Sequence, residues 1–174
     1  MALLAATALA AQDDPNQVFK GRVYVPVAGS PGRTALELPG RIMLVQDGKA
    51  PVAATPGYRF KAGEKFKLEV RPPLAGFIYI LQDDPDSSQR PLLYPIGKNE
   101  KNQVEAGQIL QLPRDWSFRF TAGPPFRLYV VVSAAPLPEL TRVPLDVRQA
   151  VSQIMARVSG DGSIALREIA VTLR

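Results

Sequence analysis

The chain has 174 residues, with 46% hydrophobic and 21% charged residues, a formal net charge of +5, and neither histidine nor cysteine. That length suffices for one domain with a buried core that needs no disulfides. Without histidine or cysteine, Ser-His-Asp and Cys-His catalysis cannot be assembled, and structural zinc, iron–sulfur clusters and His- or Cys-held haem lose their usual ligands.

Taken in chain order, residues 2–11 are almost entirely Ala and Leu and run straight into Gln12-Asp13-Asp14-Pro15. This is the pattern of a signal-peptide core with a small-residue end at Ala8-Leu9-Ala10, so residues 1–11 are expected to be a signal-peptide remnant and the protein to be exported, periplasmic or extracellular. Residues 12–174 then form a single domain. Residues 18–27 are predicted as a strand, since Val23 and Val25 alternate with Arg22 and Tyr24. A second strand is predicted over 35–45, interrupted at Pro39-Gly40. Asp47-Gly48 carries the two-residue hairpin signal between Ile42-Met43-Leu44-Val45 and Val52.

The clearest alternation lies between Tyr58 and Arg71. There Phe66, Leu68 and Val70 face one way and Lys65, Lys67, Glu69 and Arg71 the other. Residues 77–81 (FIYIL) and Phe126–Ser133 (FRLYVVVS) are apolar at nearly every position, as expected of strands covered on both faces. Shorter strands are predicted at 91–94 and 109–112 and across Trp116, Phe118 and Phe120, with residues 98–103 as a charged connection. Gly63 and Gly107 sit just ahead of strands, where a positive φ is often needed, and Gly76 precedes the central strand, a place where glycine lets backbones approach closely.

One helix is predicted, over 144–159, because Val147, Ala150, Val151, Ile154, Met155 and Val158 form a single apolar stripe. Asp146 and Gln149 read as its capping box and Gly160 as its stop. A last strand follows over 163–173. Its apolar residues change register between Ile164/Leu166 and Ile169/Val171, which a bulge near Arg167-Glu168 would reconcile. With 17 prolines and about eight to ten short strands, the fold class is mainly β: an antiparallel β-sandwich, jelly-roll or Ig-like, with one C-terminal amphipathic helix.

Between residues 40 and 138 an ordered set of motifs adds a resemblance. It begins with Tyr58-x-Phe60-x-x-Gly63-Glu64-x-Phe66-x-Leu68 and Gly76-Phe77-Ile78-Tyr79-Ile80-Leu81. Leu93-Tyr94-Pro95 and Asn102-x-Val104-x-Ala106-Gly107 follow. Leu112-Pro113, Phe118-x-Phe120 and Leu128-Tyr129-Val130-Val131-Val132-Ser133 complete it. In this order the motifs resemble the bacterial DUF4384 domain family. The resemblance implies a β-sandwich found alone behind a signal peptide or joined to caspase-like or kinase-like modules, and it brings no catalytic residues with it.

The functional expectation is a non-catalytic exported module that binds a protein partner or a cell-envelope component, with no cofactor and no membrane-spanning segment. The ligand-surface candidates are Tyr58, Tyr94, Arg90, Arg114 and Trp116, because Tyr and Trp offer large contact area with a polar tip. The competing reading of Trp116 is a plug of the sandwich core. No metal is expected: Asp83, Asp84 and Asp86 could supply oxygens to a hard cation, but Asp-Pro and Asp-Ser are ordinary turn formers. The basic balance, with pI near 9.7, makes a polyanion-binding module (nucleic acid or anionic glycan) the alternative, with nucleic acid disfavoured because Lys and Arg are scattered along the chain. A carboxylate-dependent hydrolase is the second alternative. Glu64, Glu69, Glu105 and Asp115 are available to it, and nothing in the sequence pairs two of them.

Overall fold

The computed structural model describes residues 36–84, 91–96, 101–158 and 162–174. The signal-like stretch 1–11, the strand expected over 18–27 and the helix stop at Gly160 lie outside the described residues. The strands are β1 (Gly40–Val45), β2 (Val52–Ala53), β3 (Lys65–Val70), β4 (Gly76–Asp83), β5 (Leu92–Tyr94), β6 (Gln103–Val104), β7 (Leu110–Leu112), β8 (Phe118–Arg119), β9 (Phe126–Ser133) and β10 (Ile164–Val171). A 3-10 turn at Pro138–Thr141 leads to helix α1 (Val147–Val158).

The strands form two antiparallel sheets. The first has the order β2-β1-β3-β7, with β8 also on β3; the second has the order β10-β9-β4-β5, with β6 also on β4. In each sheet one margin is thus split between two short strands. The sheets pack face to face. Ile42, Phe66, Leu68, Leu112 and Phe118 from the first meet Ile78, Ile80, Leu128, Val130, Val132 and Ile169 from the second. The alternation read in Lys65–Val70 is what delivers Phe66, Leu68 and Val70 to this interior.

A third layer explains the strands that lack alternation. The opposite face of the second sheet carries Tyr79, Leu81, Tyr129, Val131 and Ile164, and α1 covers it with Val147, Ala150, Val151 and Ile154. Asp146 caps the helix through its Oδ1, which accepts the Gln149 amide at 3.0 Å. Two ion pairs flank it, Arg148 Nε to Asp83 at 3.1 Å and Arg157 Nη1 to Glu139 at 2.9 Å. Such exposed pairs contribute about 0–1 kcal/mol each. Burying one Ile side chain contributes about 1.5–3 kcal/mol, so the apolar stripe dominates the docking. Beneath the helix entry, the Leu137 amide donates to the Tyr79 hydroxyl at 2.9 Å and ties the connecting segment to β4.

Five local expectations are corrected. The strand expected over 35–45 starts at Gly40. The β1–β2 ladder stops at Leu44↔Val52, so the connection is longer than a two-residue hairpin. Asp47 and Gly48 still turn the chain, with the Lys49 amide donating to the Gln46 carbonyl at 3.1 Å and Gly48 at φ 74°, but Pro51, lacking an amide hydrogen, interrupts the pairing beyond. The last residue of the expected charged connection, Gln103, opens β6, whose Gln103 and Val104 pair with Phe77 and Gly76. The helix begins at Val147, not 144, because Asp146 is its cap.

The strand β10 has no bulge. It runs in unbroken register against β9 from Ile164↔Ser133 to Val171↔Phe126. Its apolar residues change faces because the covering changes: Ile164 and Leu166 meet the helix layer, while Ala165, Ile169 and Val171 meet the first sheet. The cost is Arg167, which shares the inner face and is buried. Burial pulls its guanidinium below its ordinary pKa, and the Glu37 carboxylate partly offsets this.

Gly76 fixes the approach of β4 to the end of β9. A Cβ there would lie 2.1 Å from the Ser133 carbonyl oxygen and 2.9 Å from the Ala134 Cα, at a φ of 156°. Gly76→Ala is therefore expected to cost about 3 kcal/mol and lower Tm by roughly 6–12 °C in a thermal melt. In the same assay Ile154→Ala, at a position 1% exposed, is expected to lose about 2–4 kcal/mol. The solvent-facing Gln153→Ala should stay within about 0.5 kcal/mol.

Candidate functional site

A line of aromatic rings runs through the sandwich, and two of the candidates stand at its ends. Tyr58 meets Phe60 edge-on at 5.0 Å, Phe60 meets Phe120 at 4.4 Å, and Phe120 stacks on Phe66 at 4.1 Å. Phe66 then meets Phe118 at 5.1 Å, and Trp116 closes the line edge-on against Phe118 at 5.0 Å. Tyr58 and Trp116 are both partly buried against this core. Trp116 thus packs against the interior at one end.

Tyr94 is corrected from a surface residue to a core residue. It is 3% exposed, and its hydroxyl donates to the Lys101 carbonyl at 2.9 Å. A three-residue strand carries too little alternation to tell which face a side chain takes. Arg114 is exposed, and its carbonyl accepts the Lys67 ammonium at 2.7 Å. Arg90 lies outside the described residues. The four described candidates therefore do not converge on one place.

The acidic segment is divided in the same way. Asp83 closes β4, and both its oxygens accept from Arg148 Nε, at 3.1 and 3.2 Å. Asp84 accepts from Gln82 Nε2 at 3.2 Å, and Asp86 lies outside the described residues. Among the described residues no group of three or more acidic or other metal-binding side chains is placed to hold an ion.

Around Tyr58 the structure builds a site from parts that the sequence scatters. Two turns meet at the end of the sandwich where Val45 of β1 pairs with Lys65 of β3. One is the turn at 46–49. The other runs from Lys61 to Glu64, whose amide donates to the Lys61 carbonyl at 3.1 Å, with Gly63 at φ 86°. Between them lies an open depression of about 270 Å³ lined by Leu44, Val45, Gln46, Asp47, Tyr58, Gly63, Glu64 and Lys65. Glu64 organises it: one oxygen accepts the Tyr58 hydroxyl at 2.8 Å and the other the Lys61 amide at 2.9 Å. Across the depression Lys65 Nζ donates to Asp47 at 2.7 Å. Lys65 holds the Asp47 carboxyl below its ordinary pKa, with a smaller contribution from Arg119. Only Tyr58 was a sequence candidate for this site. Glu64 stood in the sequence as one carboxylate among four, and the signal for its role was the Ala62-Gly63-Glu64 turn just ahead of β3.

The outer face of the first sheet is the other assembled surface. Strand register places Arg41, Lys65, Lys67 and Arg119 on it with Glu69 and Gln111. Glu69 accepts Arg41 Nε at 2.7 Å and Gln111 Nε2 at 3.0 Å. Lys67 donates to the neutral Arg114 carbonyl, and among the described residues no carboxylate is ion-paired with it.

Fold and surfaces together define an antiparallel β-sandwich with one outer face roofed by a helix and the other presenting a cationic sheet. Residues 59–136 match the family model of a domain of unknown function, DUF4384. The match is narrower than the span 40–138 over which the motifs resemble that family: it takes in β3 to β9 and leaves out β1, β2, α1 and β10. No curated protein and no solved structure matches the chain. Among the described residues no helix is long and apolar enough to cross a membrane.

The Tyr58–Glu64 contact has a measurable consequence. The Glu64 carboxylate, which accepts the phenol proton, holds Tyr58 above its ordinary pKa; partial burial adds to this and Arg174 opposes it. A raised phenol pKa stabilises the fold fully at neutral pH, and the stabilisation is lost as pH rises through the raised value. NMR titration of the Tyr58 ring carbons is expected to show a pKa above that of free tyrosine, falling back in Glu64→Gln.

Proposed function

We propose that the chain is an exported, non-catalytic binding module that docks a protein partner or a cell-envelope component on the outer face of its first sheet. The observation that carries this reading is the contrast between the two outer faces. The helix α1 covers that of the second sheet with an apolar stripe. On the first sheet, the charged strand residues of the outer face are Arg41, Lys65, Lys67 and Arg119 against the single strand carboxylate Glu69, beside Met43, Val45, Ala53 and Gln111. A flat surface with a cation excess favours an anionic counterpart and speeds its encounter. Export is supported by the Ala/Leu run at residues 2–11.

The non-catalytic reading is supported by how the carboxylates are used. Glu69 is held by Arg41 and Gln111, and Glu64 by Tyr58 and the Lys61 amide. Each is spent on holding local structure.

The same cation excess favours the second reading, a general polyanion binder. One experiment separates them. Purified protein is expected to sediment with envelope fragments from the source cells, and Lys67→Glu with Arg119→Glu to weaken that binding about tenfold, about 1.4 kcal/mol, without loss of fold. Equal retention on heparin, released by modest salt, would move the assignment to the polyanion reading. Cell fractionation of a tagged full-length protein checks export, and a purely cytosolic distribution would reject it.

A further inference from the structure

We infer that the depression between the two turns at the end of the sandwich is a binding subsite for a neutral sugar. It adjoins the cationic sheet surface proposed above, sharing Lys65 with it, and its ligand follows from the groups that line it. The rim offers acceptors in the Asp47 and Glu64 carboxylates, donors in the Lys65 ammonium, and both in the Gln46 amide. Leu44 and the ring of Tyr58 supply the apolar part, where they emerge from the core.

Charge selects against ions of either sign. Two carboxylates face the space, which disfavours an anion. Lys65 pairs with Asp47, and the guanidinium of Arg119 acts on Asp47 as that of Arg174 acts on Tyr58, which disfavours a cation. A polyhydroxyl ligand both donates and accepts, carries no charge, and has an apolar face suited to an aromatic ring, so it meets every group present. At about 270 Å³ the space falls just below the usual small-molecule range of ~300–1,000 Å³, which fits one sugar ring rather than a larger ligand. The site is also built rather than incidental: Tyr58 is locked by Glu64 at 2.8 Å, and Glu64 by the Lys61 amide at 2.9 Å.

The test is an amide NMR titration of the full chain with glucose, N-acetylglucosamine and cellobiose, and with sodium acetate and tetramethylammonium chloride as charged controls. At least one sugar is expected to shift the Gln46, Asp47, Tyr58, Gly63 and Lys65 amides saturably, with a Kd of order 1–50 mM, as for a single exposed subsite. The Asp47 side chain is 86% exposed, so Asp47→Ala leaves the fold intact and is expected to weaken sugar binding at least fivefold. Lys67→Glu, outside the depression, leaves sugar binding unchanged, which keeps this test separate from that of the sheet surface. The inference is overturned by the absence of saturable shifts with all three sugars, by equal shifts with acetate or tetramethylammonium, or by an Asp47→Ala variant that binds as the parent does.

Discussion

Pairing β4 with β9 lays Phe77, Tyr79 and Leu81 beside Tyr129 and Val131 on one face, and Ile78 and Ile80 beside Leu128, Val130 and Val132 on the other. Neither face can be left to water, because each carries large side chains without a polar alternate. Most of the remaining architecture answers that requirement. The first sheet closes over one side, and α1 closes over the other. The helix therefore belongs to the fold as a third layer. Gly76 sits where this central pair is tightest, against the backbone of Ser133 and Ala134.

Legibility in the sequence followed the length and purity of each pattern. The half-buried β3 showed its period because one face is core and the other solvent. The strands β4 and β9 showed none because both faces are covered, and that absence was itself informative. The α1 stripe was plain for the same reason as β3. Strand β10 misled because its covering changes along its length. Its helix-facing Ile164 and Leu166 and its sheet-facing Ile169 and Val171 read as two registers, yet they are two faces of one straight strand. The two-residue β6 has no period to detect, and its pairing with Gly76 and Phe77 is a tertiary fact.

The site was harder to read than the fold, again for a physical reason. Tyr58 and Glu64 are close in sequence and could be noticed together. Asp47 joins them only because β1 and β3 are antiparallel neighbours, which brings Asp47 to Lys65. Partly buried aromatics such as Trp116 look alike in sequence whether they cap a core or receive a ligand, and only their packing partners decide. Tyr94 shows the converse: its hydroxyl finds a carbonyl inside the structure, so the polar tip that suggested a surface is satisfied within.

The charged residues on the outer face of the first sheet are Arg41, Lys65, Lys67, Arg119 and Glu69. The chain has no histidine, the side chain that ordinarily changes charge near neutrality, and no thiol to be oxidised. Whatever rests on that sheet would meet an almost constant electrical landscape across mildly acidic and mildly alkaline surroundings, and under oxidising or reducing conditions alike. Its grip would answer to dissolved ions, which thin the field, and hardly at all to acidity.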